Sequence, residues 1–596
     1  MTDPFSRVAQ EETDFYSHWT FLSAGFGFLL WCAIIFILDS SIGLIEKLFL
    51  LAPLVIIPLG LRAVEPVDRM GHLPRLYKLA VIAQPFCATA AAISFIVPVG
   101  LLAGFLSFGW FWFTVLMALL GFWRFLPRGL CCPEETLIDA GLIYPAVGGA
   151  WLVASRLGIP FFGFSGIITI LTAVHFHYAG FAAPIIAGMA GRTFLKKASF
   201  GYKLFLCAGS GIILGIPLLA LGITFSPSLE VASAILLFVS LWLLAFLLLT
   251  AAVPRMPSLR YRLLLGISAT SLIPAMVFAL VYAYGEFTGH ILIDIPRMAQ
   301  LHGIANAVGF SLCGLLAFAL SRPKSKAPLP GIPFSAFTCW TRIGPDYFHR
   351  IKAVASTDSR PQGLTDSMME YKNSFFDPSQ VHPEVRRFYE ETNLYALIVY
   401  PDWKFGFHWA GKMYRWMADR IGQMGLPLTL ERNERLIDSK ILSLNDKIDG
   451  RKKARAWIRT YSGTDKAVYV AAYANHSDGT QTYMNIAFPL PGGNLTSILR
   501  LEPLKTFQAT DGVLLTTLSS SEKKGDEGVY LVTPLLPIRL PINETIRVWP
   551  TGEGDVPPPK SKGIAEEIRL TARHDMWIFG VRFLTLDYYI YQGQSA

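Results

Sequence analysis

Ten runs of predominantly apolar residues, each long enough to cross a bilayer, occupy the first 320 positions of the 596-residue chain. About 20 such residues in a helix span the hydrocarbon core, where every backbone polar group must be satisfied internally. The runs therefore predict a polytopic all-α membrane domain with about ten transmembrane helices. We number them as spans one to ten, at residues 19–38, 46–63, 79–97, 101–123, 137–157, 163–189, 202–224, 229–251, 262–285 and 298–320.

Lys and Arg alternate between the two sides of these spans. Short cytoplasmic loops are enriched in Lys and Arg, so the alternation sets the orientation. One side carries Arg7, Arg69, Arg75, Lys78, Arg124, Arg128, Arg192, Lys196, Lys197, Arg255, Arg260, Arg322, Lys324 and Lys326, whereas the other carries Arg297 and Arg156. The pattern predicts that both termini are cytoplasmic, with a polar N-terminal segment at 1–18. If the helices on either side of the short turn at 98–100 entered and left the membrane on the same side as a re-entrant pair, the following loops would still lie on the same sides.

Composition argues against several other classes. The net charge of +9 is accounted for by these loops, so it does not predict nucleic-acid binding. The seven cysteines form no CxxC pair, which argues against a zinc site or a disulfide framework. The polar, acidic leader MTDPFSRVAQEETDFYSH is not a signal peptide, so the first span should remain as an anchor.

Span six carries two histidines, His175 and His177, near the middle of the bilayer. An ionisable side chain there is costly, so both should face the interior of the helix bundle. Residues i and i+2 lie about 200° apart on a helix, so the two imidazoles should contact different neighbours. His177 shares its face with small residues, whereas His175 shares its face with Tyr178. Interhelical hydrogen bonding without any ligand is the alternative.

A second polar face lies on span ten, where His302 and Asn306 are four residues apart. If spans six and ten pack together, His175, His177, Tyr178, His302 and Asn306 form an intramembrane site. The preceding loop adds candidates for a polar mouth at the outer surface. They are Tyr282, Tyr284, Glu286, His290 and Asp294, which could equally be interfacial anchors and solvated charges.

The histidines are also candidate metal ligands. One regular helix cannot present both His175 and His177 to a single ion, so a metal site would need His302 and a carboxylate as well. Haem held by His302 and one of the pair is a further alternative. The residues do not decide between a metal, haem and no cofactor.

The stretch GGAWLVASRLGIPFFGFSGIITILTAVHFHYAGF, residues 148–181, resembles the YndJ-like family of bacterial integral membrane proteins. The HFHYAGF core carries this resemblance, which covers residues 1 to about 320. It implies a multi-pass protein of the bacterial inner membrane and assigns no catalytic residue.

The composition changes after span ten. A basic, proline-rich linker at 321–333 leads to residues 334–596, which the charge pattern places in the cytoplasm. Two segments have helical spacing, PSQVHPEVRRFYEETNLY and FHWAGKMYRWMADRIGQMG. Their apolar faces should pack against other parts of the protein. About eight segments of period two follow. They predict an α+β domain with a curved antiparallel sheet or partial barrel, which could hold an apolar ligand or be a filled core.

No catalytic motif stands out in this second half. His574 and Asp575 could form an acid–base pair, but adjacent strand residues point to opposite faces. Three functional classes remain. We rank transport or handling of a small or lipidic substrate first, ahead of a membrane oxidoreductase or hydroxylase and a non-catalytic sensor or scaffold. Beyond the lipid bilayer, the expected partner is a lipid or small apolar ligand, and the oligomeric state is left open.

Overall fold

The computed structural model describes residues 4–37, 42–68, 71–196, 199–326, 331–356, 361–423, 425, 436–464, 466–505, 511–519, 525–557 and 568–592. The chain divides into two compact units, Met1–Leu329 and Pro330–Ala596.

Within its described residues, the first unit contains ten helices long and apolar enough to cross a membrane, which confirms the predicted number and their positions along the chain. Spans one to ten are Ala9–Ile37, Leu44–Val64, Arg75–Ile96, Leu101–Cys131, Pro133–Leu157, Ile167–Phe194, Phe200–Phe225, Pro227–Arg255, Leu259–Thr288 and Ile295–Ser321.

The polar leader is continuous with the first span, because the helix that contains this span begins at Pro4. Its polar side chains bind the ends of other spans. The guanidinium groups of Arg62 and Arg322 each donate a 2.8 Å hydrogen bond to Ser17 Oγ, and Lys78 pairs with Glu12. The leader is therefore a packed extension of span one.

Spans three and four are two separate long helices joined by a short turn. Arg156, at the end of span five, donates two hydrogen bonds to Ser94 O, at 2.9 and 3.2 Å. Gly100 N donates in return to Arg156 O at 3.0 Å, and Gly100 has a φ of +150°. A glycine at this position allows the chain to reverse within four residues.

Three arginines and two carboxylates form a buried ion cluster at the ends of spans four, five and six. Glu135 is fully buried and accepts hydrogen bonds from Arg124 at 2.8 Å and from Arg192 at 2.7 and 2.9 Å. Asp139 lies 3.2 Å from Arg124 and 3.3 Å from Arg128. Arg124, Arg128 and Arg192 therefore do not lie in loops, as the charge pattern had predicted, but inside the ends of spans four and six. These groups replace their hydration with one another, and they link three helices.

The second unit is built on twelve strands in the described residues, rather than the eight predicted. They are β1 Tyr395–Trp403, β2 Ile437–Ser443, β3 Arg455–Tyr461, β4 Ala467–Ser477, β5 Thr482–Leu490, β6 Gly493–Leu504, β7 Gly512–Thr516, β8 Gly528–Val532, β9 Pro537–Arg539, β10 Ile542–Pro550, β11 Ile568–Ile578 and β12 Val581–Gln592. Short helices occur at Tyr347–Arg350, Pro383–Glu390, His408–Ile421 and Asp446–Asp449.

Ten of these strands close into an antiparallel barrel. The order is β5-β4-β3-β2-β1-β12-β11-β10-β7-β6, and β6 pairs again with β5, while β8 and β9 extend from β6. All ten strands send apolar side chains into one shared cluster, including Leu397, Trp457, Leu499, Val548 and Leu586. A cluster shared by every strand of a closed ring is the interior of the barrel.

His574 and Asp575 point in opposite directions, as the strand period requires. His574 Nε2 lies 2.9 Å from Glu544 Oε2, whereas Thr585 Oγ1 donates to Asp575 at 2.7 Å. The two residues therefore do not form an acid–base pair.

Candidate functional site

A cavity of about 270 Å³ lies among spans two, six, seven, eight, nine and ten. Most of its wall consists of Leu, Ile, Val, Ala, Met and Phe side chains. The polar side chains that line it are His175, Tyr178, Glu230, Tyr282, His302, Asn306 and Ser311. Four of the five intramembrane candidates therefore line one space, and His177 does not.

The lining residues come from one end of each span. They extend from Ile45 of span two, Ile223 of span seven and Ile295 of span ten to about the middle of the helices, at Ile212, Leu241 and Leu272. These ends are joined by the connections at 158–166, 226 and 289–294. The cavity thus occupies one half of the helical domain, opposite to the half that contains the buried ion cluster.

The other halves of the same spans are closely packed. Ile57, Ile186, Leu248, Leu265 and Phe318 are fully buried. A Cβ atom added to Gly314 would lie 2.6 Å from Ser268 Oγ and 2.7 Å from Ile186 Cδ1, so spans six, nine and ten are in close contact at this level. The cavity therefore ends near the middle of the helices.

His175 presents a hydrogen-bond acceptor to the cavity. Its Nδ1 lies 2.7 Å from Leu171 O, and a carbonyl only accepts, so Nδ1 carries the proton. In a neutral ring, Nε2 then retains its lone pair. The side chain is exposed although it lies deep in span six, because it borders the cavity.

His302 and Asn306 form a second polar group on the same wall. His302 Nδ1 lies 2.9 Å from Ala275 O of span nine, and Asn306 Nδ2 lies 3.3 Å from His302 Nε2. The amide N–H can donate to the ring nitrogen, which leaves Asn306 Oδ1 as an acceptor. Both polar groups of the cavity therefore offer an acceptor to a ligand atom that donates a hydrogen bond.

Both site helices depart from α geometry at these residues. Span six is π-helical at Tyr178–Ala182, directly after the histidines, and span ten is π-helical at Ala299–Gly303 and Ala305–Leu312. Single π turns are frequent at functional sites because they reorient side chains. The histidine spacing alone could not indicate them.

His177 lies between helices and away from the cavity. Trp110 Nε1 of span four lies 2.9 Å from His177 Nε2, and His177 Nδ1 lies 2.7 Å from Ala173 O. Gly148 of span five provides the space, since a Cβ atom there would lie 2.7 Å from His177 Nδ1. Both ring nitrogens are used, and the side chain is fully buried.

Tyr282 is the residue of the expected outer mouth that lines the cavity. Tyr284, Glu286, His290 and Asp294 are exposed, and Asp294 caps the next helix by accepting from Arg297 N at 2.9 Å. Glu230 of span eight lines the cavity and was not predicted. It lies in the first turn of its helix, where a carboxylate is unremarkable in a sequence.

No three His, Cys, Asp or Glu side chains within the described parts of the chain are placed to hold a metal ion. The hydroxyl of Tyr178 already donates its hydrogen bond within the protein, to Leu48 O at 2.7 Å. The polar groups of the cavity described above, His175 and the His302–Asn306 pair, are suited to hydrogen bonding with a ligand.

Comparisons with known proteins agree with this architecture. The model of the family described as YndJ-like protein matches residues 47–310, which include the cavity-lining parts of spans six to nine. The uncharacterized membrane protein YndJ of Bacillus subtilis is 32% identical over 507 residues, covering 85% of this chain and 86% of that protein. An alignment of this length extends beyond residue 320 into the barrel. No solved structure matches the chain. The chain therefore belongs to the YndJ-like family of membrane proteins.

Proposed function

We propose that this membrane protein binds a small or lipidic amphiphile in the cavity beside His175 and handles it within one half of the bilayer. One observation carries the proposal. His175 is an exposed polar side chain deep in a transmembrane helix, and the surface it meets is an otherwise largely apolar cavity. A polar group in this position is expensive unless it has a partner.

The cavity suits a ligand with an apolar body and one polar group. Its volume is slightly below the range of about 300–1,000 Å³ typical of small-molecule sites. The acceptors His175 Nε2 and Asn306 Oδ1 would bind a hydroxyl or amide hydrogen. Glu230 and Tyr282, near the ends of spans eight and nine, would contact the more polar end of such a ligand.

The charge pattern supports an orientation for this site. With the arginine-rich ends in the cytoplasm of a bacterial cell, the cavity lies in the outer half of the inner membrane, and the barrel is cytoplasmic. A ligand would then enter from the outer leaflet. Transport across the bilayer would need a second conformation in which the packed halves of the same spans separate.

The test is mass spectrometry of lipids and small molecules that remain bound to the full chain in lipid nanodiscs. Ala234→Trp would fill the cavity, because Ala234 lines it. Ala232→Trp is the matched control, since Ala232 is two residues away on the same helix and exposed. We expect one amphiphile to be retained by the wild type and by Ala232→Trp, and lost from Ala234→Trp. Equal retention by all three proteins would overturn the proposal.

A further inference from the structure

The helix His408–Ile421 lies across one end of the barrel, directly after β1. Its inner side is fixed by contacts. The Tyr414 ring packs on Trp403 with centroids 5.7 Å apart, and Gly411 and Ala418 are buried. After the helix, Gln423 Nε2 donates to Val470 O of β4 at 2.7 Å. The helix is therefore held in place by one face.

The opposite face is apolar and exposed, although its periodicity had predicted packing against the protein. Trp409, Met413, Trp416 and Met417 are 66%, 57%, 57% and 47% exposed. Phe405, in the turn before the helix, is 98% exposed. Clusters of large exposed apolar side chains mark interaction surfaces.

The turn between β11 and β12 extends this surface. Lys404 N donates to Phe583 O at 3.0 Å, so the two segments are neighbours at the end of the barrel where β1 finishes. Phe579 and Val581 in this turn are 72% and 56% exposed. We call the combined surface, residues 405–417 with 579–581, the apolar barrel end.

Basic side chains surround the apolar barrel end. Lys412, Arg415 and Arg420 are exposed on the helix, and the guanidinium of Arg420 lies 4.0 Å from the centre of the Trp416 ring. Arg582 follows the β11–β12 turn, and its side chain is 48% exposed. Asp419 is the acidic side chain of the helix. Large apolar residues flanked by Lys and Arg are typical of helices that lie in a membrane interface.

We infer that the apolar barrel end docks on the anionic surface of the bilayer that holds spans one to ten. Tryptophan favours the headgroup level, and the basic side chains complement anionic lipids. The barrel and the spans belong to one chain, so this bilayer is always within reach of the barrel at high effective concentration. The inference is independent of the cavity and of its ligand.

The test is photo-crosslinking of the full chain in nanodiscs, with a benzophenone-bearing phenylalanine placed at Met413 or, separately, at Trp416. The matched control position is Phe375, which is 74% exposed near the opposite end of the barrel, where β1 begins. The two lipid compositions are phosphatidylcholine alone and phosphatidylcholine with phosphatidylglycerol. All three sites are more than half exposed, and thermal unfolding checks that each protein is folded.

We expect lipid adducts at Met413 and Trp416 in yields several times those at Phe375, with the highest yields in the anionic nanodiscs. Lys412→Gln and Arg415→Gln should each weaken the interaction up to about fivefold. Adducts to residues 1–329, adducts to a second copy of the chain, or lipid adducts equal to those at Phe375 would overturn the inference. Equal yields in the two lipid compositions would overturn the role of the basic side chains.

Discussion

Trp110 Nε1 donates a hydrogen bond of 2.9 Å to His177 Nε2, and this contact joins span four to span six inside the membrane domain. Two residues earlier on the same helix, His175 borders the cavity. One short sequence motif therefore supplies a helix contact and a candidate ligand contact, and substitutions can separate the two roles.

Replacement of His177 should affect stability and spare the cavity. His177→Phe removes the acceptor of Trp110 and leaves a buried N–H unpaired, at a cost of about 1–3 kcal/mol. Thermal unfolding in detergent measures this loss. The double variant with Trp110→Phe has no unpaired indole N–H. Its loss of stability should therefore be smaller than the sum of the losses in the two single variants. Strict additivity would contradict a direct coupling between the two residues.

Replacement of His175 should have the opposite effect. His175→Phe removes an acceptor that the protein itself does not use, so the unfolding temperature should stay close to that of the wild type. Loss of one hydrogen bond of about 1 kcal/mol should weaken retention of the proposed amphiphile about fivefold. Mass spectrometry of the bound fraction measures it, with His177→Phe as the comparison. A loss of stability without any loss of ligand would leave His175 in a structural role.

The buried ion cluster should be sensitive to loss of one charge. Glu135→Gln removes the carboxylate shared by Arg124 and Arg192, so that the buried Arg192 guanidinium loses its carboxylate partner and Arg124 keeps only Asp139. A destabilisation of about 3–5 kcal/mol is expected. The control is Glu391→Gln, which breaks the exposed pair with Arg387 and should cost less than about 1 kcal/mol. Unfolding in increasing denaturing detergent compares the two, and equal effects would argue against a structural role of the cluster.

The barrel should lose stability in acid through Glu544. Burial raises the pKa of this carboxyl, but the hydrogen bond and charge of His574 and a hydrogen bond from Ser497 outweigh burial, so the net pKa lies below its ordinary value. A lowered pKa contributes stability above the unfolded value of about 4.3, and this stability is lost as the pH falls through the folded value. As the pH is lowered from about 6 to 3, the unfolding temperature should therefore fall more steeply for the wild type than for Glu544→Gln. Parallel pH profiles would contradict this assignment.

The orientation can be measured with reporters. Fusions before Met1 and after Ala596 should be active as cytoplasmic reporters, and an insertion in the connection at 158–166 should be active on the other side. Periplasmic activity at either terminus would reverse the assignment of the cavity to the outer leaflet.

The spans were predictable because each is a long apolar run, and the few residues of error lie at ends where polar side chains continue the helix. Eight of the twelve strands were predictable from period two. β1 was missed because it reads YALIVYPDW, an almost continuous apolar run. β11 was missed because His574 interrupts the otherwise apolar face of IRLTARHDMWI, while Arg569, Arg573 and Asp575 lie on the other face.

The site was predictable only in part. Polar residues inside spans six and ten are evident in the sequence, and the helical period requires that His175 and His177 diverge. In the sequence, small residues share the helix face of His177. In the structure, space around His177 accommodates the imidazole itself and its contact with Trp110. Glu230 and the π turns were not predictable, because each depends on which helices become neighbours.

The packed halves of spans two, six, nine and ten have a thermodynamic consequence for the cavity above them. A ligand that enters and leaves from one leaflet equilibrates with that leaflet alone, so its occupancy follows the chemical potential of the amphiphile on that side. Because the ligand crosses no packed half, it crosses little of the electric potential difference between the two faces. Occupancy would therefore report the composition of one leaflet, independently of the energised state of the membrane.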